Sequence, residues 1–563
     1  MTAAARARHV LLTGPWAITR PRGAALLATV VAILVATAAP PGGDDAAHLY
    51  LTQRWSENGF QLWDNLWYSG RYSQINYSLL FYPLAAAVGM ATVAIGATAG
   101  AVAGFGTLVR RLWPDQAAAP TVAAALFAPL GVLAGTYPFM LGLALALWAL
   151  VALTHGRRLL TLALVVLTTL AHPLALVFLV VALAATAAAN PGWWSRRGDV
   201  ALAAGVGGVV LAQAILVRGF ASDGRYPFEI ETLAAVAGFC AAGFILSRGL
   251  ASGRLLRMTF GAYGALALVT LAAPGPLGGN VARLLLLLGV PLLLIPLSAR
   301  GFRPRAIAVT LVAAAVAWQA LPAVAGWRTA SDARAADESF WLPAVAFLDE
   351  HHDPNHRVHV VATADNWEAY HLARRGVPLT RGWFRQDDFP VNRALYGDLT
   401  TGRYVQWLRQ VGVRYVLLPD DPLDPSAQGE AAVVRAGRAV KLVARMGSWS
   451  IYELPRATAI ATPRPDIEVL EVDADSIRLR AARPGTYRLR ARYTPYWRVT
   501  RGAACVAPRG EWGSELHVRR AGVVRIEFSV RLTTFLGTVV GSRGGCDDAA
   551  AAGPRANGSP AAR

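Results

Sequence analysis

Apolar residues occur in long blocks over the first three fifths of the chain, and short polar segments separate these blocks. A helix needs about 20 mostly apolar residues to cross the hydrocarbon core of a membrane. The candidate cores, in chain order, are Ala24–Ala39, Leu84–Val109, Ala117–Gly135, Pro138–Thr154, Leu159–Ala171, Leu174–Ala189, Val200–Val217, Thr232–Leu246, Met258–Ala273, Val281–Leu297 and Ile307–Val324. The pattern therefore predicts a polytopic α-helical membrane protein with about eleven transmembrane helices within residues 24–327.

Arginines mark alternate ends of these blocks. They stand at Arg110, Arg111, Arg157, Arg158, Arg196, Arg197, Arg248, Arg254, Arg257, Arg300, Arg303 and Arg305, whereas the intervening loops carry more acids. By the positive-inside rule, the arginine-rich loops and the N-terminus, residues 1–23, are cytoplasmic. An odd number of spans then places the C-terminal region outside the cytoplasm. We predict a multi-pass inner (plasma) membrane protein with an uncleaved N-terminal anchor, because many apolar blocks follow the first.

The pattern changes at about Arg328. Short apolar runs that alternate with helix-like segments predict a small extracytoplasmic α/β domain over residues 328–456. Alternating apolar and polar residues with Gly/Pro turns then predict an all-β, sandwich-like module over residues 457–540. The Ala-, Gly-, Pro- and Ser-rich tail, residues 541–563, is predicted to be disordered.

Composition agrees with this organisation. Hydrophobic residues make up 55% of the chain and charged residues 16%, and the formal net charge is +19. Many arginines stand in short loops between apolar blocks, which indicates topology rather than nucleic-acid binding. Cys505 and Cys546 lie in the predicted extracytoplasmic region, where a disulfide is one alternative and free thiols are the other.

The first candidate for chemistry follows the first apolar block. Asp44 and Asp45 stand at the start of a predicted helix that ends near Gly59, and His48 lies one helical turn further on. The spacing places the three side chains on one face, just outside the membrane. Two carboxylates and an imidazole suit a base that deprotonates an acceptor hydroxyl, or a divalent metal such as Mg²⁺ or Mn²⁺. The alternative is a helix cap with a solvated acidic turn.

The long first outer loop, residues 40–77, is rich in aromatic residues. Asp64, Tyr68 and Arg71 are the candidates here for substrate binding, because aromatic faces stack on sugar rings and polar side chains bond sugar hydroxyls. The alternative is a belt of aromatic residues at the membrane interface.

Three further polar residues stand on the predicted outer side. Arg283 begins an apolar block, where a guanidinium could bind a lipid phosphate or extend towards the interface. Arg218 is a second candidate for the phosphate. His172, beside Pro173, is either a substrate-binding residue or a packed residue at a helix end.

The layout resembles the GT-C glycosyltransferase superfamily. The resemblance rests on the many spans and on Asp44-Asp45 at the start of the long first outer loop; the rest of the loop is similar only in length and aromatic character. It implies transfer of a sugar from a polyprenyl-phosphate donor to a cell-envelope acceptor on the outer face, with an aspartate as base and often a divalent metal. A second acidic motif has only Asp223, Glu229 and Glu231 as candidates.

Two other functions remain open at this point. A transporter of lipid or solute would carry ionisable residues at mid-depth in its spans, and these spans hold almost none. A non-catalytic envelope-assembly protein of the same fold would use the extracytoplasmic region to bind partners.

Overall fold

The computed structural model of the chain describes residues 16–222, 224–250, 253–273, 275–542 and 544–546. Most of the predicted cytoplasmic N-terminus, Asp223 and most of the predicted disordered tail lie outside these ranges. The chain divides into two units. The first consists of Met1–Phe60, Gln74–Leu216 and Gly224–Ala336; the second consists of Gln61–Ser73, Val217–Asp223 and Asp337–Arg563.

The first unit is helical. In chain order its helices are α1 (Pro21–Ala38), α2 (Asp45–Asn58), α3 (Phe81–Val88), α4 (Met90–Leu112), α5 (Ala118–Phe127), α6 (Leu130–Leu133), α7 (Tyr137–Thr154), α8 (Arg158–Ala171), α9 (Pro173–Ala189), α10 (Arg197–Gly219), α11 (Ile230–Leu246), α12 (Gly253–Ala272), α13 (Arg283–Ala299) and α14 (Arg305–Asp332). The end of α10, from Val217, is assigned to the second unit.

The predicted apolar blocks are found as helices. Within the described residues, 7 helices are long and apolar enough to cross a membrane, namely α1, α4, α7, α10, α12, α13 with its preceding turn, and α14. The other predicted cores correspond to shorter apolar helices, Ala118–Leu133, α8, α9 and α11. Two predicted blocks are divided. Leu84–Val109 is divided at Gly89 (φ 89°), because this left-handed conformation ends α3. Ala117–Gly135 is divided at Ala128 and Pro129, between α5 and α6.

Helix packing in the first unit uses small residues at close contacts. Helix α4 packs along α7 and α1, and α12 packs along α11 and α9. A Cβ atom at Gly142 of α7 would lie 2.7 Å from the Cβ of Ala175 on α9, so the two helices approach more closely than a larger side chain would allow.

The Gln319 side chain bonds to two backbone groups of α13 next to a proline. Helix α13 contains Pro291, and next to it the Gln319 side chain of α14 accepts a hydrogen bond from the Val290 amide (3.0 Å) and donates one to the Leu286 carbonyl (2.7 Å). These two groups would otherwise pair within α13. Gln319 is buried, and its amide thus pairs with one donor and one acceptor of α13.

The second unit contains a mixed sheet with helices beside it. Its elements are β1 (Trp63–Asp64), β2 (Arg71–Tyr72), α15 (Glu338–His351), β3 (Arg357–Val360), α16 (Glu368–His371), α17 (Thr401–Val411), β4 (Val413–Pro419), α18 (Gln428–Arg435), β5 (Lys441–Met446) and β6 (Trp449–Glu453). The sheet order is β3-β4-β6-β5, in which β3 and β4 are parallel and the other pairs are antiparallel. The short strands β1 and β2 pair with each other.

A β-sandwich follows in the same unit. It is formed by β7 (Ala461–Thr462), β8 (Ile467–Val472), β9 (Ser476–Ala481), β10 (Gly485–Leu489), β11 (Trp497–Arg501), β12 (Ala504–Arg509), β13 (Gly513–Val518) and β14 (Gly522–Phe528), with α19 (Leu532–Val539) after it. The two sheets have the orders β12-β13-β10-β7 and β11-β14-β9-β8. Apolar residues of both sheets form one core. Cys505 and Cys546 are joined by a disulfide, which resolves the alternative left open by the sequence.

Candidate active site

Helix α2 begins directly at the acidic pair. Asp44 is the N-cap residue, Asp45 is the first helical residue and Gly59 ends the helix, as the sequence predicts. Within the described chain, Asp44 makes no side-chain cap hydrogen bond. The Asp45 carboxylate instead accepts a hydrogen bond from the Gly42 amide at 2.8 Å. Asp45 is buried, so the predicted alternative of a solvated acidic turn does not describe its carboxylate.

Two glycines fix the position of the pair. A Cβ at Gly42 would lie 2.6 Å from the Gly135 amide nitrogen, and a Cβ at Gly135 would lie 2.9 Å from the Asp44 amide nitrogen. Gly135 also has φ +73°, a conformation that other residues rarely adopt. The loop before α2 is thus pressed against the loop before α7, and this contact sets where the carboxylates lie.

Asp45 is a buried acid whose pKa lies close to neutral pH. Its side chain is almost fully buried, and burial raises the pKa of Asp45 from its ordinary 3.8 to about 6, against the lowering effect of hydrogen bonds from Tyr137 and the Gly42 backbone. Tyr137 is the first residue of α7. A carboxyl group with this pKa can take up and release a proton close to physiological pH.

His48 lies in an aromatic cage behind the acids. Its ring centroid is 5.4 Å from that of Tyr137 and 6.1 Å from that of Tyr82, and the His48 Nδ1 atom lies 3.3 Å from the Tyr82 hydroxyl. Burial lowers the pKa of His48 to about 3, and the Arg283 charge adds to this effect. The imidazole is therefore neutral at pH 7 and a weak base, so its position suits orienting Tyr82 and Tyr137 better than proton transfer.

Arg283 faces the other acid. Its Nη2 atom lies 3.9 Å from the Oδ2 atom of Asp44, and Tyr77 and Tyr226 also surround the guanidinium. The Nη1 atom is buried and has no hydrogen-bond partner among the described residues. A buried cationic donor without a partner is costly. The arrangement thus leaves one guanidinium donor available to an anion.

His172 closes the same cluster. It is the N-cap of α9, where its Nδ1 atom accepts a hydrogen bond from the Leu174 amide at 3.2 Å. Its ring contacts Tyr77 and Phe139, with centroid separations of 5.0 and 5.6 Å. Because Nδ1 accepts, the neutral ring carries its proton on Nε2, and this buried atom has no hydrogen-bond partner in the described part of the chain. His172 is thus a helix-end residue that also offers a donor to the cluster.

The structure thus brings together five of the predicted residues, Asp44, Asp45, His48, His172 and Arg283. Among the residues that the structure describes, no group of three His, Cys, Asp or Glu side chains is placed to hold a metal ion. A divalent ion at Asp44 and Asp45 stays a prediction of the resemblance, and no reaction step below uses it.

The other four predicted residues belong to the second unit. Asp64 accepts a hydrogen bond from the Leu66 amide at 2.8 Å, and Arg218 donates to the Val539 carbonyl at 3.4 Å. Arg71 forms a buried ion pair with Asp387, with 2.7 Å between Nε and Oδ2. Tyr68 is buried near this pair and has φ 57°. These contacts hold the second unit together, and a role in substrate binding stays a prediction for all four.

Sequence reasoning missed the residues that position the acids. Tyr82 and Tyr137 contact His48, and Gly42 and Gly135 set the backbone beneath Asp44. The available signal was Gly135-Thr136-Tyr137-Pro138 at the start of a predicted span, since a glycine before a helix start often marks a close approach of two chain segments.

Comparison with known proteins finds several similar solved structures. No family model and no curated protein matches the chain. It is similar to the arabinofuranosyltransferase AftD from Mycobacteria, with 18% identity, 78% of this chain and 42% of that chain covered, and a TM-score of 0.45. It is also similar to ArnT from Cupriavidus metallidurans (14%, 76% and 97%, 0.37) and to the archaeal oligosaccharyltransferase AglB from Archaeoglobus fulgidus (13%, 71% and 69%, 0.36). The chain spans less than half the length of AftD.

Proposed function

We propose that the protein is a membrane glycosyltransferase that moves a sugar from a polyprenyl-phosphate-linked donor to a hydroxyl of a cell-envelope acceptor. The observation that carries this proposal is that the buried Asp45 carboxyl, with a pKa of about 6, lies in one cluster with Arg283. The Nη1 donor of Arg283 has no hydrogen-bond partner among the described residues. One group suits the acceptor hydroxyl and the other suits the phosphate of the donor.

Asp45 is the proposed general base. In this step the Asp45 carboxylate takes the proton of the acceptor hydroxyl as the hydroxyl oxygen attacks the anomeric carbon. The bond between that carbon and the phosphate oxygen of the donor breaks, and the lipid phosphate leaves with the electron pair. A base is most effective when its pKa lies near the working pH, and burial gives Asp45 this property whereas it makes His48 too weak a base.

Arg283 is the proposed phosphate-binding residue. Its Nη1 donor is buried without a partner in the described chain, and its charge is only partly balanced by Asp44 at 3.9 Å. Guanidinium groups bind phosphate oxygens well because their donors form a planar fork. The N-termini of α2 and α9, at Asp45 and Pro173, add partial positive charge to this cluster.

The side of the membrane follows from the arginine distribution. The loops that carry Asp44, His172 and Arg283 stand at the ends of the apolar blocks opposite to the arginine-rich loops. By the positive-inside rule these residues face the extracytoplasmic side, where an envelope acceptor is available.

Complementation of a deletion strain tests the proposal. Envelope glycans and lipid-linked sugars are compared by mass spectrometry in cells that carry the wild-type chain, Asp45→Asn, the Asp44→Asn/Asp45→Asn double variant, or Asp115→Asn. Asp115 is an exposed acid of the same unit and serves as the matched control. We expect the deletion and both site variants to lose a glycan substituent and accumulate its lipid-linked precursor, at equal membrane abundance, and Asp115→Asn to behave as wild type.

Normal glycans with the double variant would refute the proposal. Movement of the lipid across proteoliposomes without a glycosyl product would instead indicate transport. Defects that depend only on the extracytoplasmic region would indicate an assembly protein.

A further inference from the structure

A cavity within the helices of the first unit lies outside the site described above. It has a volume of about 420 Å³, is partly open, and is lined mainly by α4, α7, α9, α11, α12 and α13. Such a volume falls within the range of about 300–1,000 Å³ that is usual for ligand pockets. Helix α9 lines it from Ala175 to Asn190, so at 1.5 Å per residue the cavity extends over about 22 Å.

Charged side chains line one end of the cavity only. Leu143, Ala175 and Leu284 line the end next to the acidic cluster, and the side chains along the middle are mostly apolar. The opposite end is lined by Arg158, Trp193, Arg196 and Asp199, among others. A long apolar cavity with charged groups at one end has the shape and polarity of a site for a lipid with an acyl chain and a charged head group.

The charges at the polar end favour an anion. Arg158 donates to Asp199 at 2.8 Å, and Arg196 lies 3.9 Å from the same carboxylate. Two guanidinium groups thus share one carboxylate, which leaves a net positive charge. The Arg196 side chain is 61% exposed and is free to turn towards a bound head group.

A buried donor at this end points to a ligand independently. The Trp193 side chain is about 95% buried, and its Nε1 atom meets no acceptor among the described residues. Buried indole N–H groups normally find a hydrogen-bond acceptor. A phosphate or ester oxygen of a lipid head group would supply it.

We propose that this cavity binds one anionic phospholipid, with its head group at Trp193 and Arg196 and an acyl chain along α9. The polar end of this lipid faces the side that the arginine distribution predicts to be cytoplasmic. The sugar donor has the opposite orientation, because its phosphate is placed at Arg283. The occupant is therefore a lipid distinct from the donor, a distinction that rests on the proposed function. The binding of an anionic lipid in this cavity rests only on the lining and on Trp193.

Lipid retention by the full-length protein tests the inference. The protein is reconstituted in nanodiscs of phosphatidylglycerol or of phosphatidylcholine, transferred to detergent, and analysed for retained lipid by native mass spectrometry. We expect about one phosphatidylglycerol per chain and no retained phosphatidylcholine. Ala182→Phe fills the cavity and abolishes retention, whereas Ala184→Phe, an exposed position two residues further along α9, does not.

A second pair of variants tests the head-group contact without altering the core. Arg196→Gln is expected to reduce retention about tenfold, the usual effect of one lost charged hydrogen bond, whereas Arg197→Gln, also exposed, leaves it unchanged. Equal retention of both lipids, equal retention by the members of either pair, or an isoprenoid phosphate as the only lipid retained would overturn the inference.

Discussion

Replacing Asp45 by Asn is expected to stabilise the protein while it abolishes sugar transfer. A carboxyl whose pKa is higher in the folded than in the unfolded state binds its proton more tightly when folded. Its contribution to stability is therefore present below pH 3.8 and is lost as the pH rises to about 6. The difference between these two pKa values corresponds to about 3 kcal/mol. Above pH 6 the wild-type protein thus carries an ionised, buried carboxylate at this cost.

Asparagine removes that cost because it does not ionise, and its side-chain oxygen can still accept the Gly42 hydrogen bond. We expect Asp45→Asn to be more stable than wild type by up to about 3 kcal/mol at pH 8, and the gain to shrink towards zero near pH 4. Thermal unfolding of the purified protein in detergent, at several pH values, measures this gap in Tm. Asp115→Asn, at an exposed position, should show no such pH-dependent gap.

The same pKa sets the pH dependence of the reaction. Asp45 must be ionised to accept a proton, so the rate should rise with pH through about 6 and level off above it. A gap in Tm that is equal at pH 5 and pH 8, or a variant less stable than wild type at pH 8, would contradict the assignment of a buried, costly carboxylate.

Three further substitutions test the packing and the charges around the site. Gly135→Ala should lower both stability and activity, because its Cβ would press on Asp44. Gly249 also has positive φ, but a Cβ there meets open space among the described residues, so Gly249→Ala should lower stability only slightly. Circular dichroism melts measure stability, and product formation measures activity. Arg283→Lys keeps the charge but loses the planar fork, so KM for the lipid donor should rise about tenfold with a smaller change in kcat, as steady-state kinetics would show. Gln319→Leu leaves a buried donor and acceptor unpaired in α13 and should destabilise the protein by about 2–4 kcal/mol in the same thermal melts. Gln213→Leu, the control, removes an amide nitrogen that has no partner in the described chain and should not change stability.

The helical part of the fold could be predicted because apolar length is a strong and local signal. Every predicted apolar block is found as helix, and the break at His172-Pro173 between α8 and α9 lies where the sequence places it. The break at Gly89 was missed, since a single glycine in an apolar block is compatible with a continuous helix until its φ is known. Gln319 was missed for a similar reason: its role is to bond with backbone groups of another helix, and nothing local marks that partner.

Only the aspartates, histidines and arginine of the candidate site were predictable from the sequence. Asp44, Asp45 and His48 share one face of one helix, and this follows from spacing along the chain. Tyr137 contacts these residues from a different helix. The spacing of residues within either helix does not predict which residues of the other helix they contact. The burial of these residues could not be predicted from the sequence either. Because burial disfavours the charged form of each group, it raises the pKa of Asp45 and lowers the pKa of His48, although the two residues are only three positions apart.

The bond between Cys505 and Cys546 has a consequence for biogenesis. These residues are 41 positions apart, and the later one lies beyond the last helix. Cystine forms and persists in oxidising compartments. The arginine distribution predicts that the C-terminal region lies outside the cytoplasm, and this placement implies that the disulfide of the β-sandwich forms only after translocation. We infer that maturation proceeds in order, with insertion of the helices first and oxidative closure of the C-terminal segment last. Expression in a host that keeps thiols reduced would yield a chain that is fully inserted in the membrane but lacks the Cys505–Cys546 disulfide.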